Sequence, residues 1–296
     1  MNVEGSRRPH PGRIGFALIV AVFAVSCAAI FFRLAAPTHP VVMAGTRLTI
    51  AALVFAIPTI RSIRNGRLPR PQVRAAAIGG LWYALHFGTW VTSLTLTSVA
   101  ASVSLVTATP LILGLIALKT GKDRPSGRVW ISLGVVLAGL VVLGVEHGAG
   151  DATGDRILGD GLALAGAAAM AGYMLLVRAQ GETLDAIAFS GVALTVGAAA
   201  LLLWSVVLGI PLEIPSAQAG FWILMAALVP QLIGHTTLTW TLKYLPPTGV
   251  AIAAVSEPVV STLLGVMILN ERVGAAAAIG CGLTLLGVAL AATRRR

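Results

Sequence analysis

Apolar residues run along the chain in long blocks, not in the alternating or one-sided patterns of a water-soluble fold. A helix needs about 20 mostly apolar residues to cross about 30 Å of hydrocarbon, at about 1.5 Å per residue. Ten blocks approach or exceed that length, each ended by a charge cluster or a Pro/Gly turn: 14–35, 40–60, 75–96, 98–118, 129–146, 157–178, 185–209, 219–241, 248–269 and 274–292. The pattern predicts an all-α membrane protein of ten transmembrane helices, surrounded by the lipid bilayer. The turn between the third and fourth blocks is the least polar, being only Thr97-Ser98.

Composition agrees. The 296 residues are 57% hydrophobic and only 11% charged, with a mean hydropathy of +0.90. A soluble domain carries about 25% charged residues, so too little charge is present to cover a soluble surface of this size. An ordinary soluble enzyme, a disordered chain and a secreted disulfide scaffold are excluded. The two cysteines, Cys27 and Cys281, sit in apolar runs near opposite ends and read as small packing residues. The first apolar run, Ile14–Phe32, follows Arg7, Arg8 and Arg13. It is longer than a signal-peptide core of about 7–15 residues, and reads as the first membrane helix.

Charge sets the orientation. The net formal charge of +10 would suggest nucleic acid in a soluble protein. Here the cations follow the loops, and no nucleic-acid partner is expected. With the N-terminus inside, 17 of the 21 Lys and Arg residues fall on the inner face, notably Arg61–Arg74, Lys119–Arg128, Arg178, Lys243 and Arg294–Arg296. The connection around 146–160 carries Glu146, Asp151, Asp155 and Asp160, which suits the outer face. Cytoplasmic loops of inner-membrane proteins are enriched in Lys and Arg, so both termini are predicted to be cytoplasmic.

Sliding the chain by 148 residues against itself aligns Thr89 with Thr237, Pro110 with Pro258, Asp123-Arg124 with Glu271-Arg272, Gly134 with Gly282 and Gly139 with Gly287. Five spans per half is an odd number, so the halves 1–148 and 149–296 are expected to be inverted repeats. Such repeats are typical of secondary transporters, where two halves build a midplane site.

Ser256-Glu257-Pro258-Val259-Val260, then Leu264-Gly265 and Leu269-Asn270-Glu271-Arg272, with Gly280-Cys281-Gly282-Leu283 and Gly287-Val288 near the end, resemble the EamA-type drug/metabolite transporter family. The resemblance covers essentially the whole chain, with the fuller signature in the second half. It implies a basket of inverted repeats around a central cavity, and export of amino acids, other metabolites or drugs. The first half departs from the pattern: Thr109-Pro110 stands where the second half has Glu257-Pro258.

Several residues are costly to hold in a membrane. Glu257 lies about nine residues into the ninth block, roughly 14 Å deep at helical rise. A carboxylate there must be paired, protonated or facing water. It is either a carboxylate that binds a substrate amine or a proton, or a structural acid bonded to a neighbouring helix. Pro258 and, in the first half, Pro110 lack a backbone donor and are candidate hinges. Arg47, seven residues into the second block, either binds a carboxylate or phosphate bidentately or snorkels to the outer headgroups. The resemblance implies an Arg at this place without choosing its role. Arg33 and Lys243, at block ends, read as snorkelling cations.

The third block presents Trp82, His86, Thr89/Trp90 and Ser93 at helical spacing, aromatic surface mixed with hydrogen-bonding groups, as a small-molecule site would be. Its repeat partner offers Gln231, His235 and Thr239 after Pro230. Tyr173, Ser102 and Thr109 are weaker candidates of the same kind. Each is also readable as helix packing. Asp123 and Glu271 read as helix-start carboxylates. Zinc, thiol-redox, phosphate-loop and nucleophile-elbow motifs do not occur in the sequence, and it implies no cofactor and no metal. The expectation is a secondary or facilitative transporter of the inner membrane, not an enzyme, exporting a small-molecule substrate by alternating access. A proton is the candidate coupling ion, resting on Glu257 and His86. Import, an intramembrane enzyme using Ser93 or Ser256 beside a His, and a non-transporting scaffold are the alternatives.

Overall fold

In the computed structural model, residues 9–97, 102, 105–146, 154–269 and 274–292 are described. Among them every regular element is helical. The order is α1 (Pro11–Ser26), α2 (Ala28–Leu34), α3 (Pro40–Arg64), α4 (Arg70–Leu96), α5 (Thr109–Thr120), α6 (Gly127–Glu146), α7 (Gly154–Arg178), α8 (Ala186–Val207), α9 (Ala217–Ala226), a π-helical segment (Ala227–His235), α10 (Thr236–Thr241), α11 (Pro247–Ala254), α12 (Glu257–Leu269) and α13 (Ala275–Ala292). Six helical runs are long and apolar enough to cross a membrane: Pro11–Leu34, Pro40–Arg64, Asp155–Arg178, Ala186–Val207, Ala217–Thr241 and Pro247–Ile268. Thr109–Thr120, Gly127–Val142 and Ala278–Ala291 are shorter apolar helices. The 27-residue α4 is less apolar because it carries Trp82, Tyr83, His86, Thr89, Trp90, Thr92 and Ser93.

The outer surface is what a lipid-facing helix bundle requires. Phe16 is 69% exposed, Leu53 70% and Met267 78%, with many other large apolar side chains turned outward. In water such continuous apolar exposure would drive aggregation; in lipid it costs nothing.

Local chemistry explains the helix ends. Pro40 opens α3 after His39, whose Nδ1 accepts from the Val41 amide at 3.3 Å. Asp185 caps α8 by accepting from the Ala188 amide at 3.2 Å, and Gly121 ends α5 in the left-handed region at φ 76°. Side-chain carboxylates and glycines are the usual devices at those two ends.

Four blocks expected as continuous helices are broken. The first breaks at Cys27, where the Ser26 hydroxyl donates to Val22 O at 2.7 Å and Ser26 O itself accepts from Ser261 of α12 at 2.8 Å. Hydroxyls that take backbone carbonyls bend helices. The described part of the fourth block is α5, preceded by a turn at Thr107-Ala108. Pro110 cannot donate to Val106 O, and the Thr109 hydroxyl takes that carbonyl instead at 3.1 Å. The ninth breaks at Val255-Ser256, immediately before Glu257-Pro258. The eighth contains the nine-residue π segment around Pro230, whose missing N–H interrupts the regular ladder.

α4 packs on α7 and α8, and α3 on α8, while α6 and α13 form a pair mainly with each other. That pair is in backbone contact. A Cβ added at Gly139 would stand 2.7 Å from Thr284 N and 2.8 Å from Gly280 O. One added at Gly287 would stand 2.8 Å from Val136 N and 3.0 Å from Ser132 O. The Ser132 hydroxyl donates to Gly287 O at 2.6 Å. Small residues let membrane helices approach this closely.

Polar contacts tie the connections together. Asp185 accepts from the Ser62 hydroxyl at 2.7 Å, and Arg178 donates to Lys243 O at 3.0 Å while pairing with Asp123 at 3.5 Å. Two expectations change here. Asp123 does not cap the next helix but pairs with Arg178. Lys243 does not snorkel: its ammonium donates to Leu184 O at 2.6 Å. Its removal from water lowers the Lys243 pKa against the pull of Asp185 and Glu182. Glu271-Arg272 lie outside the described residues.

Candidate functional site

The helix breaks converge on one central cavity. It encloses about 780 Å³ of space not filled by atoms, including its open mouth. Arg47 reaches it from α3; Tyr83, His86, Phe87 and Trp90 from α4; Thr109 and Pro110 from the start of α5. From the other half of the chain come Met170 and Met174 of α7, His235 at the end of the π segment, Leu238 of α10, and Glu257 at the start of α12.

Arg47 has no exposed surface, which removes the snorkelling alternative. Its guanidinium carbon lies 4.3 Å from the Phe87 ring centroid and 5.1 Å from that of Phe32. None of its three guanidinium nitrogens has a hydrogen-bond partner among the described residues. Glu257 is partly exposed and lines the same cavity, yet no ion pair joins it to Arg47 among the described residues. Its carboxylate sits in the first turn of α12, where the amide-rich end of a helix favours negative charge.

His86 holds Nδ1 at 2.9 Å from Gly166 O. A carbonyl can only accept, so Nδ1 carries the proton, and in the neutral ring Nε2 is an acceptor. The His86 ring stacks toward Trp90 at 6.2 Å and meets Phe87 edge-on at 4.7 Å. His235 meets Phe87 and Tyr83 edge-on at 5.6 and 6.0 Å. The Phe87 ring thus meets the Arg47 guanidinium and both imidazoles.

Of the residues singled out by sequence, Glu257, His86, Trp90, His235, Arg47, Thr109 and Pro110 line the cavity. Thr89, Ser102 and Thr239 do not, nor do Trp82, Ser93, Gln231, Tyr173 and Pro258. Trp82 packs against α7, 3.0 Å from where a Gly172 Cβ would stand. The Ser93 hydroxyl donates to Trp90 O at 2.6 Å and bonds the Ser102 hydroxyl, which leaves it no histidine base. Gln231 is buried within the π segment, its Oε1 without a donor among the described residues. Tyr173 stands one layer behind, stacked on Tyr83 at 4.0 Å and bonded to the Thr239 hydroxyl at 2.8 Å. Pro258 follows Glu257 without lining the cavity itself.

The cavity-facing stripe of α4 is therefore Tyr83, His86, Phe87 and Trp90, at i, i+3, i+4 and i+7. Tyr83 and Phe87 are the residues that sequence reasoning missed. Their signal was present as an aromatic stripe of helical period, one residue out of phase with the polar positions.

Comparison with known proteins points to a membrane transporter. Residues 157–293 match the EamA-like transporter family. Over those residues, somewhat less than half of the chain, it is similar to EamA-type transporters. The matched region includes the Glu257-Pro258 break and the α6-facing helix α13. The chain is also 26% identical over 280 residues to the uncharacterized transporter YwfM of Bacillus subtilis (strain 168), over 92% of this chain and 91% of that one. A protein of known crystal structure, 22% identical, superposes with a TM-score of 0.81 over 96% of this chain and 97% of its own. At that identity the likeness speaks to the fold alone.

Proposed function

We propose that the transporter carries a small metabolite, an amino acid or related compound or a drug, out of the cytoplasm by alternating access through the central cavity. The observation that carries this reading is the meeting of Arg47 and Glu257, from opposite halves of the chain, across one aromatic cavity without an ion pair between them. Charged groups inside a membrane bundle that are not spent on one another are available to a solute.

In this reading ten spans form two inverted five-span repeats, 1–148 and 149–296. Three features support it. The turns at Thr107-Ala108 and Val255-Ser256 fall at equivalent places in the halves, each just before a helix opening with Thr109-Pro110 or Glu257-Pro258. Gly139 packs on Gly280 and Thr284 as Gly287 packs on Ser132 and Val136, the same contact with the halves exchanged. The polar contacts linking Ser62, Asp123, Arg178, Asp185 and Lys243 gather connections that a ten-span topology puts on one face. That face is also rich in cations, which supports reading it as the cytoplasmic side of an inner-membrane protein with both termini inside.

Glu257 binds either the substrate ammonium or a coupling proton; Pro110 and Pro258 are the hinges about which the half-helices reorient. The test is growth protection by the wild type and by Glu257→Gln at matched membrane amounts, against toxic amino acids, their analogues and lipophilic cations. Protection by the wild type alone is expected. Equal sensitivity of cells with either variant and cells with neither sinks the export reading.

A further inference from the structure

Arg47 and Trp90 present an unmatched surplus of donors to the cavity. The guanidinium is wholly buried, and all three of its nitrogens lack an acceptor among the described residues. The indole Nε1 of Trp90 is buried and equally without an acceptor. Both groups only donate. Phe32 and Phe87 hold them together: Arg47 lies over both rings, and Trp90 meets the same two rings at centroid distances of 6.3 and 6.5 Å. Keeping an unpaired cation out of water costs several kcal/mol. A packing role would be filled better by Met or Leu, so the expense points to a partner that arrives from the cavity.

The neighbouring groups narrow that partner. The hydroxyl of Thr109 lies against Val106 O and Ala167 O at 3.1 and 3.2 Å, and His86 Nδ1 against Gly166 O. Neither relieves Arg47. Glu257 shares the cavity and disfavours a solute that carries a second negative charge beyond the one Arg47 offsets. A planar monoanion with two oxygens matches the guanidinium fork, which binds carboxylates bidentately, and leaves a lone pair for the indole N–H.

We propose that Arg47 and the Trp90 indole N–H form the carboxylate subsite of the transported solute, and that Phe87 and Tyr83 flank the solute's apolar body. The subsite selects monoanionic carboxylates over amines and over doubly charged phosphates. This rests on the central cavity being the solute pathway.

The test is titration calorimetry on the purified full chain with three probes sharing one ring: phenylacetate, phenethylamine and phenyl phosphate. Phenylacetate is expected to bind at least about 10-fold more tightly than either of the others. Loss of a charge-assisted contact typically weakens binding by about 10- to 100-fold, which is the loss expected for Arg47→Gln. Trp90→Phe keeps the ring and removes only the donor, and is expected to cost phenylacetate about 3- to 10-fold. Absence of phenylacetate binding, equal binding of phenethylamine or phenyl phosphate, or unchanged phenylacetate affinity in both variants overturns the subsite. A wild type that protects cells yet does not bind phenylacetate refutes the subsite and leaves transport standing. Binding of phenylacetate by a chain that moves no solute refutes transport and leaves the subsite standing.

Discussion

The guanidinium carbon of Arg47 lies 4.3 Å from the centroid of the Phe87 ring, a cation–π contact made by a side chain with no exposed surface. Such a contact returns about 2 kcal/mol when desolvated, less than the several kcal/mol of removing a cation from water. Arg47 is therefore a stability liability held for function. Arg47→Met, purified in detergent, is expected to melt no lower than the wild type and up to a few degrees higher, while transport is lost. A melting temperature lowered by more than about 5 °C would show that the aromatic cage stabilises the cation outright.

The hinge role proposed for Pro258 concerns motion, not recognition. It denies the backbone a donor next to Glu257, at the turn that separates α11 from α12. In a helix continued through that turn the proline would be interior and cost about 3 kcal/mol, so the break is favoured. Pro258→Ala is expected to keep or raise thermal stability by restoring the donor, and to slow solute flux several-fold because the break no longer bends freely. Pro110→Ala, at the equivalent break before α5, is expected to act in the same direction. Flux at the wild-type rate in both variants would remove the hinge role.

Tyr173 backs the cavity wall from one layer behind. Its hydroxyl bonds Thr239 at 2.8 Å, and its ring stacks on Tyr83 of the cavity wall at 4.0 Å. A buried neutral hydrogen bond contributes about 1 kcal/mol. Tyr173→Phe and Thr239→Val are each expected to lower stability by about that amount. The double variant should cost less than the two added together, since both remove one bond. Strict additivity in thermal or chemical unfolding would mean that the hydroxyls do not interact.

Much of the fold was readable because length and hydropathy constrain a membrane helix strongly. α3, α4, α7 and α8 lie within a few residues of blocks 40–60, 75–96, 157–178 and 185–209. The breaks at Pro110 and Pro258 were marked by the missing donor. The break at Cys27 was not, because it depends on Ser261, a residue 235 positions away, taking the Ser26 carbonyl. Glu257, His86 and His235 stood out through the energetic cost of polar groups in hydrocarbon. Arg47 stood out too, but sequence depth alone allowed it to reach the headgroups, and only the surrounding Phe32 and Phe87 rings show that it turns inward. The phase of the α4 stripe failed for a related reason. Trp82 and Ser93 look as suitable as Tyr83 and Phe87 until Gly172 opens a slot for the Trp82 ring and Ser102 takes the Ser93 hydroxyl.

The pairing of α6 with α13 yields a prediction with an internal control. Two glycine pairs align when the halves are superposed by number, yet the structure separates them. At Gly139 and Gly287 an added Cβ would press on the partner's backbone at 2.8 Å or closer, whereas at Gly134 and Gly282 nothing lies within 4 Å. Overpacking that moves backbone costs about 1–3 kcal/mol. An alanine placed in open space gains about 0.4–1 kcal/mol by restricting the unfolded chain. Gly139→Ala and Gly287→Ala are therefore expected to lower the melting temperature by several degrees, and by similar amounts, because each presses on the equivalent surface of the other helix. Gly134→Ala and Gly282→Ala should leave it unchanged or slightly raised. Four variants with the same change in the same two helices hold propensity constant, so the difference between pairs reads the contact itself. If all four melted alike, the close approach of α6 and α13 would be wrong, and with it the reciprocal packing that relates the two halves.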